Sequence, residues 1–170
     1  NYGCLYLEAG ETLYLRVTAG DGAFSNGFYT VNLVRSATIP MGTTTFDAGN
    51  NHGIALREDG TVWTWGHNDV GQQGNGATSN VVTRNNPKPV SGLENVVEVA
   101  SGASHNVVLK ADGTVWTWGY NNCGQLGDGT TVNKNIPTRV NIGGVKAIAA
   151  GDTHTLALKY DGTVWMWGYG

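Results

Sequence analysis

The sequence predicts an all-β chain in which the last strands of a sandwich lead into a run of repeated sheets. One phrase occurs three times at nearly constant spacing. No window places apolar residues at i, i+3, i+4 and i+7, the mark of an amphipathic helix. Short apolar or alternating runs are instead parted by Gly, Asn and Asp, and the 26 glycines supply turns throughout.

The repeated phrase runs from Gly49-Asn50-Asn51-His52 to Asp59-Gly60-Thr61-Val62-Trp63-Thr64-Trp65-Gly66. It returns from Gly102-Ala103-Ser104-His105 to Asp112-Gly113-Thr114-Val115-Trp116-Thr117-Trp118-Gly119. The third copy spans Gly151-Asp152-Thr153-His154 to Asp161-Gly162-Thr163-Val164-Trp165-Met166-Trp167-Gly168. Glycine, histidine and both tryptophans recur at offsets of 53 and then 49 residues, so the match is positional and not compositional. A period near 50 marks a repeat architecture whose units bury their apolar faces on one another.

Taken in order, residues 1–35 read as three strands: Leu5-Tyr6-Leu7, Leu13 to Val17, and Phe28 to Leu33. Leu13, Leu15 and Val17 alternate with Tyr14 and Arg16, which describes a sheet with one wet face. Three such strands cannot enclose a core. Leu7-Glu8-Ala9-Gly10-Glu11-Thr12-Leu13-Tyr14-Leu15-Arg16-Val17 followed by Gly27-Phe28-Tyr29-Thr30-Val31 resembles the final strands of the bacterial pre-peptidase C-terminal domain. That domain is a small β-sandwich attached to secreted enzymes and surface proteins; the end of some other sandwich is an equal reading. Residues 36–45, with Pro40, read as a linker.

Residues 46–170 are the repeats. Each apolar triplet (Ile54-Ala55-Leu56, Val107-Val108-Leu109, Leu156-Ala157-Leu158) leads to an Asp-Gly pair, which predicts a tight hairpin with both central residues at positive φ. In the Val-Trp-x-Trp-Gly run that follows, the two Trp rings share one face of a strand and Val with Thr or Met the other. Strands apolar on both faces need cover on both, and blades stacked around an axis provide it.

Gly-x-x-His-x-x-Ala-Leu, Asp-Gly-Thr-Val-Trp-x-Trp-Gly and the tail Asn121-Asn122-Cys123-Gly124-Gln125-Leu126-Gly127-Asp128-Gly129 resemble the regulator of chromosome condensation repeat. The first copy keeps that tail as Asn68-Asp69-Val70-Gly71-Gln72-Gln73-Gly74-Asn75-Gly76. The resemblance implies seven-bladed β-propellers, of which this chain carries about two and a half blades. Such a partial propeller exposes sheet edges and a tryptophan-lined face. The missing blades are expected from the same longer chain or from neighbouring chains. Within the family the fold serves nucleotide exchange on Ran and inhibition of β-lactamases, so the resemblance fixes shape before function.

The candidate chemistry has a structural explanation at each point. His52, His105 and His154 are equivalent and fall near the axis, where a metal is conceivable; the favoured role is bonding backbone in the turn before the inner strand. The Asp residues sit in turns without the spacing of a calcium loop. Ser101 and Ser104 near His105 lack a nucleophile elbow. No catalytic, cofactor or metal site is assigned. Cys4 and Cys123 are expected as free thiols.

Only 14% of residues are charged, against roughly a quarter in ordinary domains, and the net charge is -3. Without clustered Lys and Arg a nucleic-acid partner is excluded, and no apolar run is long enough to insert in a membrane. The segments after each Trp-x-Trp-Gly vary most, over Ala77 to Asn86 and Thr130 to Asn135, and loops that vary on a fixed scaffold carry recognition. The candidate binding residues are therefore Thr78, Asn80, Arg84, Asn85, Asn133 and Lys134. The expected function is a non-enzymatic, extracellular or cell-surface bacterial scaffold for a protein partner. The alternatives are a subunit self-assembling through open blade edges into a fibre or surface layer, and an accessory region of a larger secreted hydrolase.

Overall fold

A computed structural model describes residues 43–169, except for the side chains of residues 81–85. The sandwich strands expected over 1–35 lie outside the described residues, as does the linker up to residue 42. Residues 43–45, read as the end of the linker, are already in a strand.

Among the described residues eleven strands form three antiparallel sheets. Blade I contains β1 (Thr43–Ala48), β2 (His52–Arg57), β3 (Val62–Asn68) and β4 (Ser79–Pro89), hydrogen-bonded in that order. Blade II repeats the pattern with β5 (Val96–Ser101), β6 (His105–Lys110), β7 (Val115–Gly119) and β8 (Lys134–Arg139). Blade III has three strands, β9 (Val145–Ala150), β10 (His154–Lys159) and β11 (Val164–Gly168), with β10 central. The described residues are all-β, and the arc is the partial propeller that the repeats imply.

Each hairpin is closed differently from the expectation. Gly60 (φ 77), Gly113 (φ 77) and Gly162 (φ 86) occupy the left-handed region, while the preceding Asp residues do not. Gly60 N–H donates to the Arg57 carbonyl at 2.9 Å and Arg57 N–H to the Thr61 carbonyl at 2.9 Å. This is a three-residue loop, a type I turn finished by a left-handed glycine. Asp59 serves the loop through its side chain, accepting from the Thr61 N–H and hydroxyl at 3.0 and 2.6 Å. Asp112 and Thr114 repeat the arrangement in blade II, and Asp161 and Thr163 in blade III. In all three these bonds hold the carboxyl below its ordinary range.

Packing runs between blades. Ile54, Leu56, Val62, Val90 and Leu93 of blade I meet Val96, Val108 and Trp118 of blade II in one core. Val107, Leu109, Val115 and Val140 of blade II meet Val145, Ile148 and Ala157 of blade III in the next. Val115 joins one junction and Trp118 the other, as side-chain alternation along β7 requires. Each fully buried aliphatic side chain contributes about 1.5–3 kcal/mol, so these junctions hold the arc together.

Candidate protein-binding surface

The end of the blades that carries the Gly-x-x-His turns and the Asn-x-x-Gly-Gln loops is built by polar links between neighbours. Asn50 N–H donates to the Ala103 carbonyl at 3.0 Å, and Ala103 N–H to the Asp152 carbonyl at 3.1 Å, a backbone relay from blade to blade. The histidines form a second relay. His52 Nε2 lies 3.0 Å from Asn106 Oδ1, and His105 Nε2 lies 3.1 Å from Thr155 Oγ1. For His52 and His105 the expectation that histidine bonds backbone in its own turn is thus corrected: each clasps the next blade through a side chain.

The network fixes the tautomers. The Thr155 hydroxyl donates to the Gln125 carbonyl at 2.8 Å, so it accepts from His105 Nε2–H. Asn106 Nδ2 donates to the Gln72 carbonyl at 2.8 Å, so its Oδ1 accepts from His52 Nε2–H. The same two carbonyls accept from Trp118 Nε1 at 2.9 Å and Trp167 Nε1 at 3.0 Å. One carbonyl of each Asn-x-x-Gly-Gln loop is therefore gripped twice by the following blade. Burial lowers the pKa of His52; burial and then the neighbouring His52 and His154 lower that of His105 to about 4. Both rings are neutral at pH 7, and both Nδ1 atoms are buried without a partner.

Ser101 Oγ is 3.4 Å from His52 Nε2, with Asp47 also close to Ser101. This group lacks the wiring of a nucleophile. The Ser101 hydroxyl donates to Asn106 Oδ1 at 2.8 Å, His52 Nε2 already carries its proton, and Asp47 accepts from the Ser101 backbone N–H. Among the described residues no three His, Cys, Asp or Glu side chains are grouped to hold a metal ion. Cys123 is a free thiol, and Cys4 lies outside the described residues.

The clasped loops carry the variable segments. Thr78 is exposed, and Asn80 is exposed on β4. Arg84 and Asn85 lie on β4, with their side chains outside the description. The stretch read as a loop over 77–86 is thus mostly the outer strand of blade I, whose extra residues are absorbed by breaks in register between Thr64 and Gly66 and between Gly66 and Asn68. Asn133 is exposed, yet its Oδ1 accepts from the Asn121 N–H at 2.8 Å. Lys134 Nζ is 3.2 Å from Asp128 Oδ2. Asn133 and Lys134 therefore brace the loop as well as line it. Asp128 is opposed by burial, but Thr130, Lys134 and Asn121 bring its pKa below the ordinary value.

Sequence reasoning missed Asn135. Its Nδ2 donates to the Gly76 carbonyl at 3.0 Å, and Gly76 N–H donates to the Asn135 carbonyl at 2.8 Å. These bonds stitch the blade I loop to the start of β8, so the variable segments of two blades form one continuous surface. The alignment of copies carries no sign of this, because Asn135 lies outside the repeated phrase.

Comparison with known proteins identifies the architecture. The model of the regulator of chromosome condensation (RCC1) repeat matches residues 59–109 and 112–158, more than half the chain, and a second model of that repeat matches 44–72 and 96–125. The chain belongs to the RCC1 repeat family. The human E3 ubiquitin-protein ligase HERC2 is 40% identical over 93 residues, covering 54% of this chain and 2% of that protein. RUG3, a mitochondrial RCC1 domain-containing protein of Arabidopsis thaliana, is 30% identical over 143 residues, covering 81% of this chain and 31% of its own length. Among solved structures, Prp20p from Saccharomyces cerevisiae superposes with a TM-score of 0.67 at 26% identity, covering 76% of this chain and 34% of that one. That structure is described with its binding to Gsp1p and histones. This chain spans less than a third of the length of these two curated relatives.

Proposed function

We propose that this RCC1-type arc is part of a non-enzymatic scaffold that binds a protein partner through the loop end of its blades. The observation that carries the reading is the stitched surface of blades I and II, in which Asn135 and Gly76 join loops held rigidly from below by the histidine clasp. Prebuilt surfaces of this kind lose little entropy on binding. The recorded binding of Prp20p to Gsp1p and histones supports a protein partner. In this reading further blades of the same repeat, in the same longer chain or in neighbouring chains, complete the ring. The low share of charged residues supports an extracellular or cell-surface setting. A bacterial source rests on the sequence of residues 1–35, and the relatives described above are eukaryotic.

A second reading, assembly of arcs through open faces, has its own support. Val164, Trp165 and Met166 are 64%, 54% and 58% exposed, whereas Val115 and Thr117 at the matching places of blade II are at 0%.

A photo-crosslinking residue placed at Asn80, compared with one at Ala111 on the hairpin end, tests the first reading. A partner trapped from Asn80 and then purified should lose about tenfold or more in affinity for the paired Thr78→Ala, Asn80→Ala variant. Trapping from Ala111 alone, or unchanged affinity in that variant, rejects the loop end as the binding surface.

A further inference from the structure

The two junctions within the arc share one clasp, and the open leading face of blade I lacks the residue that would complete a third. Asn106 and Thr155, each directly after a histidine, accept from the histidine of the preceding blade and donate to its loop carbonyl. The matching residue of blade I is Gly53. Its missing side chain is replaced by an indole: a Cβ at Gly53 would collide with Trp65 Cζ2 and stand 2.9 Å from Trp65 Nε1. Trp65 is cross-strand partner to Gly53 and fills the space that the clasp residue takes in blades II and III. The rest of the face matches what blade II presents to blade I. Phe46 pairs with Ala55 in register as Val99 pairs with Val108, and Val99 and Val108 belong to the first junction core. Phe46 stands 67% exposed in the arc.

We propose that the leading face of blade I is the unclasped seam of the propeller: it receives the trailing face of a further blade of the same repeat, held by apolar packing without the histidine link, and this junction opens first. The inference rests on the propeller being completed by further blades, as in the reading above. Its occupant follows from the chain's own junctions, since Phe46, Ala55 and Trp63 stand where blade II offers Val99, Val108 and Trp116 to the blade before it. A preceding histidine arriving at Gly53 meets the Trp65 indole, which offers its Nε2–H no acceptor.

The test uses the full chain and two readouts. Thiol labelling of Phe46→Cys reports whether a blade covers the face, and amide hydrogen exchange compares β2 with β6 and β10. Slow labelling together with exchange in β2 about tenfold or more faster than in β6 is the expected result, from the two side-chain bonds absent at the seam. Asn106→Gly should then turn the junction between blades I and II into a copy of the seam and raise exchange in β6 toward that of β2. Slow labelling with equal protection of β2 and β6 overturns the seam while leaving the completed propeller standing. Rapid labelling overturns both. Asn106→Gly that folds and leaves β6 unchanged also overturns the proposal, because the clasp would then not set junction strength.

Discussion

Acidification should loosen the blade junctions through His105. Its imidazole is at 0% exposure, donates from Nε2 to Thr155, and has its pKa lowered from 6.5 to about 4. A histidine whose folded pKa is depressed contributes full stability above the unfolded value, and that stability is lost as pH falls toward the folded value. The window is therefore pH 6.5 down to about 4. From this shift the loss relative to pH 7 is about 2 kcal/mol at pH 5 and about 3 kcal/mol at pH 4. His52, lowered by burial, adds a change of the same sign. Glu98, raised by burial, works in the opposite direction, while Asp59, Asp112, Asp128 and Asp161 lose stability only below the ordinary carboxylate range. Urea unfolding followed by tryptophan fluorescence at pH 7, 6 and 5 measures the slope. His105→Gln keeps an N–H donor for Thr155 and cannot take up a proton, so it should flatten most of the dependence. A wild-type midpoint constant from pH 7 to pH 5, or an undiminished slope in His105→Gln, would refute the argument.

Three further outcomes follow from single contacts. Thr117→Val strips the Leu126 carbonyl of a 2.7 Å hydroxyl donor inside the blade and should cost about 1–3 kcal/mol in urea unfolding. Asp128→Asn keeps the turn acceptor, as Asn75 does in blade I, and gives up the Lys134 charge pair; a change of less than about 1 kcal/mol is expected. Gly113→Ala forces a side chain to φ 77 with its Cβ 3.3 Å from the Val145 carbonyl, and should lower stability by about 1 kcal/mol or more in thermal unfolding.

The blades were legible because their pattern is local and repeated. Val62-Trp63-Thr64-Trp65 states its two faces by alternation alone, and the cores contain Val62 and Trp118 as that alternation demands. The hairpin position was legible from Asp-Gly, but its type was not. Whether Asp59 sits inside a two-residue turn or caps a three-residue loop depends on register with the far strand, which one sequence does not carry. The candidate residues after the first Trp-x-Trp-Gly were misread in form. Asn80, Arg84 and Asn85 lie on a long outer strand because β4 absorbs irregular register against β3, and polar composition gave no sign of that pairing. The histidine clasp was hidden for a related reason: its partners, Asn106 and Thr155, are 54 and 50 residues away and are chemically different from each other.

That last difference separates what a repeat must keep from what it can vary. At the clasp, an amide and a hydroxyl serve equally, because each offers an acceptor to one blade's histidine and a donor to the same blade's loop carbonyl. The recurring residues, Gly, His and the second Trp, all converge on that carbonyl or on the turn beside it. They fix where each loop begins. Asn135, Asn133 and Lys134 then shape the loop from outside the two junction cores. If the loop end binds the partner proposed above, specificity belongs to the non-recurring residues there, and stability to the recurring ones beneath them.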